Sequence, residues 1–185
     1  MNTVVTSKEE ILKTSRELIR RQGWSAVSIR SVAAACGVSV GSIYNYFGSK
    51  AELVGATVES VWCEIFHRPE DPAVFRDVQA CVTWMYERMA YGCERYPGFF
   101  TLHSLGFVRE EKADGKALMQ QTCRHILDGL CSVLKQDVKV RPNAFTEQFT
   151  AEKFADVLFS LMLSALLRQD YDPTAMLEIV RRTLY

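Results

Sequence analysis

Apolar residues recur at helical spacing along nearly the whole chain, and strand-like alternation is almost absent. Ser7-Lys-Glu-Glu10 has the form of a capping box. Behind it Ile11, Leu12, Ser15, Leu18, Ile19 and Gln22 keep a helical period until Gly23, which predicts a helix over about 8–22. Ser28 can cap a short helix to about Ala35, with Ile29, Val32, Ala33 and Cys36 on its inner side. Gly37 suits the left-handed turn that ends it. Ser39 can cap a third helix over about 40–46, and Ser49-Lys-Ala-Glu52 forms a second capping box, opening a helix to about Phe66.

The rest reads the same way. A helix over about 73–95 ends at Tyr96-Pro-Gly98, a short one covers about 99–108, and Lys112-Ala-Asp-Gly115 is turn-like. Further helices cover about 116–136 and 151–169, and Asp172-Pro173 is an N-cap and first-turn pair for the last. Val138-Lys-Val140 is the longest alternating run. The fold class is therefore all-α, with about nine helices: three short ones carrying a helix-turn-helix, then a larger helical body.

Composition narrows the class. The 185 residues are 48% hydrophobic and 24% charged, enough for a core without disulfide or metal staples. Phe159–Leu167, the longest apolar run, is too short to span a bilayer, and Lys8, Glu9 and Glu10 interrupt any leader, so a cytoplasmic protein is expected. The six cysteines, Cys36, Cys63, Cys81, Cys93, Cys123 and Cys131, show no metal-ligand spacing and read as reduced, mostly buried thiols. No metal or cofactor is expected. The net charge of zero hides an asymmetry: residues 1–50 hold seven Lys/Arg against three Asp/Glu, and the remainder holds fifteen against nineteen. A basic end on an acidic body suits contact with a nucleic acid.

The segment 40–46 gives that contact a shape. On a helical wheel started at Ile43, Phe47 and Val40 fall within about 60° and share the inward stripe. Asn45, Gly41 and Ser42 point away, and Tyr44 and Tyr46 lie on the two flanks. A face of Gly, Ser and Asn is small and hydrogen-bonding, which fits a DNA major groove. The flanking phenols can reach phosphates on either wall, or can simply pack the small domain. Lys50, in the first turn of the next helix, combines a cation with free backbone N–H groups as a phosphate clamp, or is a solvated charge. Ser28 and Arg30 can touch the DNA backbone or a base edge, and Ser39 stands at the start of the reading helix.

A short helix, a glycine turn and a second short helix form the helix-turn-helix arrangement. Residues 8–53 resemble the N-terminal DNA-binding domain of the TetR family of bacterial repressors. The match rests on Ile11-Leu12, Gly23, Ser28-Ile29-Arg30, Val32-Ala33, Cys36-Gly37-Val38-Ser39, Gly41-Ser42-Ile43-Tyr44-Asn45-Tyr46-Phe47 and Ser49-Lys50-Ala51-Glu52-Leu53. Ser42-Ile43 replaces the family's usual Thr-Leu or Thr-Ile. Val40 replaces a frequent basic or polar residue, which favours contact with a thymine methyl group. The resemblance implies a DNA-binding domain at 1–50 and a helical effector-binding and dimerisation domain at 51–185. It implies a homodimer that binds a palindromic double-stranded operator, represses transcription and is released by a small-molecule effector.

The body supports this loosely. Ten of the twenty aromatics lie in residues 58–110, which suits an apolar pocket and equally a large core. The pocket candidates are Trp62, Phe66, Trp84, Phe100, His103, Phe107 and His125, with Trp84 and Arg88 a possible pair for an anionic aromatic ligand. Leu158, Leu161, Met162 and Ala165, with Leu177, Val180, Arg181 and Leu184, form stripes that suit a four-helix dimer interface or internal core. An alternative is a DNA-binding protein without a pocket, whose body recruits a protein partner. An enzyme is not expected: no paired carboxylates, phosphate loop or nucleophile arrangement stands out.

Overall fold

The computed structural model describes residues 6–67, 72–100 and 113–185, with side chains from residue 124 onward in the last stretch. Eight α-helices lie among them: α1 (Lys8–Gln22), α2 (Ile29–Cys36), α3 (Val40–Tyr44), α4 (Lys50–Ile65), α5 (Val78–Arg95), α6 (Ala113–Gln136), α7 (Ala151–Arg168) and α8 (Thr174–Leu184). The described residues contain no strand, and Val138–Val140 is part of a turn. The expected helix over about 99–108 lies, beyond Phe100, outside the described residues. The fold falls into two compact units. One takes the described residues to Phe66 with Gly92–Phe99, and the other takes His67–Tyr91 with Phe100 onward.

In the first unit α1 packs against α2 and α4, and α2 against α3. Ile11, Ile19, Val32, Ile43, Phe47, Leu53, Val61 and Ile65 are all but sealed from solvent. The caps anticipated from sequence set the helix starts. Ser7 accepts from Glu10 N at 3.1 Å and Ser49 from Glu52 N at 3.1 Å. Ser28 accepts from Ser31 N at 3.1 Å while its own N–H donates to Ser31 Oγ at 2.9 Å. Gly37 ends α2 at φ 69°, a left-handed conformation that costs a side-chain-bearing residue.

The unit continues past residue 50, because α4 buries Leu53, Val58, Val61 and Ile65 and its Glu64 gathers charges from two other segments. Arg20 Nη2 reaches the two Glu64 oxygens at 2.6 and 2.8 Å, Arg16 Nε lies at 2.8 Å and Arg95 Nε at 3.1 Å. Arg20 also donates to the Tyr96 hydroxyl at 2.8 Å. Trp24, just past the end of α1, stacks on Phe99 with ring centres 5.4 Å apart.

In the second unit α6 packs on α7. Val78, Val82, Met85, Leu130, Leu134, Phe154, Leu158, Met162, Val180 and Leu184 are buried. The expected helix over 73–95 is divided at Asp77. Residues 72–76 form a 3₁₀ turn, and the Asp77 carboxylate accepts from Ala80 N at 2.8 Å, capping α5. Buried Asp137 accepts from Val78 N at 2.9 Å and from the Tyr185 hydroxyl at 2.5 Å.

Two terminus assignments from sequence change. Ala113–Gly115, expected as turn, belongs to α6. Pro173, rather than Asp172, takes the N-cap position of α8, although the Asp172 carboxylate still accepts from Thr174 N at 2.9 Å.

Candidate nucleic-acid interface

The turn at Gly37 and the Ser39 cap set α3 against α2. Ser39 Oγ accepts from Ser42 N at 3.1 Å, and the two hydroxyls lie 2.9 Å apart. Ile43 and Phe47 are fully buried, as the wheel required. Val40 is not: it stands on the first turn, beyond the reach of the core around Ile43, and is 41% exposed. The expected helix over 40–46 closes at Tyr44, but Asn45 keeps a right-handed helical conformation and Phe47 N still donates to Ile43 O at 3.0 Å. The direction of the following side chains is therefore preserved.

Ser39, Val40, Gly41, Tyr44, Asn45 and Tyr46 are exposed, as are Arg30 and Lys50, while Ser42 and Ser28 are half-buried. Tyr44 is 51% and Tyr46 39% exposed. Val40, Tyr44 and Tyr46 are the exposed large hydrophobic residues among those described in the first unit. The surface is thus a small, partly apolar ridge with cations at its margins. Tyr46 differs from Tyr44 in having an internal partner, the Thr6 carbonyl, to which its hydroxyl donates at 2.5 Å. No sequence signal links residues forty positions apart in this way. Lys8 Nζ sits 5.5 Å from the centre of the Phe47 ring, fastening the start of α1 to the same segment.

At α4 the Glu52 carboxylate accepts from Gly48 N at 2.7 Å, one residue upstream of the capping-box position. The first-turn amides of Lys50 and Ala51 have no intrahelical acceptor by geometry, and the exposed Lys50 stands on that same turn.

The effector candidates divide between the two units. In the first, Trp62 stacks on Phe66 at 5.4 Å and meets the edge of Phe99 at 5.4 Å. In the second, Trp84 meets Phe75 edge-on at 5.6 Å, and Phe100 is buried. His125 is exposed, because it lies five residues, about 140° of helix, from the buried Leu130. Arg88, expected with Trp84 as a pair that could hold an anionic aromatic ligand, lies one turn after it on α5. Its guanidinium lies 4.2 Å from the Tyr91 ring centre, with Nη2 3.3 Å from His67 Nδ1. His103 and Phe107 lie outside the described residues. No group of three metal-ligating side chains occurs among the described residues.

The expected dimer residues need correction. Leu158, Met162, Ala165, Val180 and Leu184 are at most 2% exposed within one chain, because they pack in its own core and leave no surface for a second copy. Leu161 and Leu177 are half-buried and Arg181 is exposed, pairing with Glu178 at 2.7 Å. Beside them, unanticipated from sequence, Val157, Leu167 and Ile179 are 46%, 56% and 41% exposed.

Comparison with known proteins agrees with the geometry of the first unit. The family model of bacterial regulatory proteins of the tetR family matches residues 11–57. The transcriptional regulator YerO of Bacillus subtilis strain 168 is 40% identical over 52 residues, 28% of this chain and 18% of that protein. The aligned region is thus less than a fifth of that relative's length. A regulator structure from Rhodococcus sp. RHA1 superposes with a TM-score of 0.69 at 15% identity, covering 96% of this chain and 94% of that one. BioQ, in a crystal with its natural double-stranded DNA operator, superposes with a TM-score of 0.56 at 13% identity, covering 90% and 87%. At these identities the superpositions establish a shared fold, and the family resemblance comes from the helix-turn-helix itself. Residues 11–57 of this chain are thus similar to the DNA-binding segment of bacterial regulatory proteins of the tetR family.

Proposed function

We propose that the chain is a transcriptional regulator that binds a palindromic operator as a homodimer, with α3 in the major groove. The observation that carries this is the concentration of the first unit's exposed large hydrophobics on 40–46, around Gly41 and Asn45 and beside Lys50. Such a ridge has no use in a soluble domain's own packing, but it suits a groove of base edges bounded by phosphates. BioQ, a protein of like fold crystallised with its double-stranded DNA operator, supports DNA binding as the role of this fold.

A single short helix reads few bases, so two protomers are needed for a useful site, with half-sites about 34–36 Å apart or a multiple of that. Val157 and Leu167 on α7 and Ile179 on α8 supply apolar surface for pairing, with Leu161, Leu177 and Arg181 beside them. The bound dimer represses by occupying promoter DNA in the cytoplasm, and no catalytic role is assigned.

A small molecule bound in the aromatic-rich body would favour a conformer whose reading helices miss the half-site spacing. The coupling must be reciprocal, so operator DNA weakens effector binding by the same factor. Trp84 and Phe100 remain candidates for its apolar contacts; His125 does not.

Selection from random and genomic duplexes tests the proposal, with the doubly substituted Lys50→Ala, Tyr44→Ala protein as control. Enrichment of a palindrome that the control fails to hold is the expected result. Absence of any enriched duplex, with or without cell extract as a source of effector, would sink it.

A further inference from the structure

We propose that each protomer identifies a thymine in its half-site by the 5-methyl group, which enters a shallow notch formed by Val40, Gly41 and Tyr44. The inference rests on the DNA-binding proposal and specifies the chemistry of the base that is read.

Val40 and Tyr44, four residues apart, stand on one side of α3, 41% and 51% exposed. Between them Gly41 is exposed and helical, without a positive φ. A Cβ built on it would meet only Ser39 Oγ, at an ordinary 3.7 Å. Nothing in the chain therefore calls for glycine there, although glycine costs about 1 kcal/mol relative to alanine inside a helix. The vacancy is explained by a group from outside that approaches the α3 backbone.

The nearby serine hydroxyls are drawn toward each other, one donating to the other. Ser39 and Ser42 face each other at 2.9 Å, and Ser39 holds the cap bond to Ser42 N. The first turn of α3 thus presents apolar surface to the groove, while Asn45, a turn later, presents an amide. Among the groups lining the major groove, the thymine methyl is the one that apolar surface recognises. Cytosine presents an amino donor, and the purines present N7 and O6 or N6. A valine beside a bare backbone fits that methyl, and a larger side chain at residue 41 would fill its place.

The test uses the selected operator with thymines replaced by deoxyuridine, one symmetric pair at a time, which deletes the methyl and nothing else. At one pair, affinity should fall about fourfold per half-site, the worth of one buried methyl-sized group. Val40→Ala should bind the thymine and deoxyuridine duplexes equally, and Gly41→Ala should bind the thymine duplex more weakly. Both variants should melt no lower than the parent, which separates recognition from folding. Equal affinity at every replaced pair, or an unchanged methyl dependence in Val40→Ala, overturns the thymine assignment and leaves DNA binding standing. A parent protein that holds no duplex overturns both.

Discussion

The Tyr46 hydroxyl donates to the Thr6 carbonyl at 2.5 Å, binding the residue before the α1 cap to the segment that follows α3. The two flanking tyrosines are therefore not equivalent. Tyr44 keeps an exposed ring, while Tyr46 has a structural partner. Tyr46→Phe should cost about 1 kcal/mol of stability, the usual worth of one hydrogen bond. Tyr44→Phe should leave melting unchanged and weaken binding to all duplexes several-fold. Melting curves and DNA titrations on both variants check this. Normal melting of Tyr46→Phe with the larger loss of affinity would reverse the roles.

Lys50 and Asn45 should separate positioning from readout. Lys50 is exposed at the first position of α4, so Lys50→Ala should weaken all sequences alike and lower the salt slope by about 1 per bound protomer. Asn45 is exposed one residue past α3, and its amide can pair with a base edge. Asn45→Ala should change which sequence is preferred. Repeating the duplex selection with each variant distinguishes the two, and an unaltered preference in Asn45→Ala removes it from the reading face.

Glu64 gives the first unit a pH-dependent brace. Burial opposes its ionisation, but hydrogen bonds to Tyr96 and Arg95 and the charges of Arg20 and Arg16 outweigh that and hold the carboxyl below its ordinary value. Burial also pushes the Tyr96 phenol up to about 12, so it remains a neutral donor at neutral pH. A depressed folded-state pKa contributes stability that is complete above the unfolded value, about 4.3, and is lost as pH falls through the folded one. Glu64→Gln should therefore be less stable than the parent by about 1–3 kcal/mol at pH 7, with the gap narrowing below about pH 4. Urea midpoints between pH 3 and 7 measure it. A gap independent of pH would show that the carboxylate's charge is not what braces the unit.

Much of the first unit was legible because its signals are local. Ser7, Ser28, Ser39 and Ser49 cap helices within three residues of themselves, and Gly37 turns the chain with its own φ. The period that buries Ile43 and Phe47 is likewise a property of consecutive positions. Where partners are distant, sequence was silent: Tyr46 with Thr6, Arg95 with Glu64 and Tyr185 with Asp137 bring together residues 31 to 48 positions apart. Val40 escaped because periodicity gives an angle around the helix but not how far the covering core extends along it. The apolar faces of α7 and α8 misled for a related reason. Both sides of α7 carry leucine or valine, and composition does not say which side the chain itself covers.

That last ambiguity leads to a prediction about assembly. Leu158 is sealed inside one chain, whereas Leu167 on the same helix is 56% exposed. If α7 pairs with its counterpart, Val157→Asp with Leu167→Asp places unpaired carboxylates in the interface, where a buried charge without a partner costs several kcal/mol. The double variant should sediment as a monomer at concentrations where the parent is a dimer, with an unchanged melting temperature when diluted. Its operator affinity should fall by orders of magnitude, because one protomer no longer brings the second half-site contact. Leu158→Ala should behave in the opposite way, losing about 2–5 kcal/mol of fold stability through a core cavity while the folded fraction still pairs. Sedimentation velocity on the two proteins decides between these faces. A dimer that survives both aspartates would move the interface away from the outer side of α7.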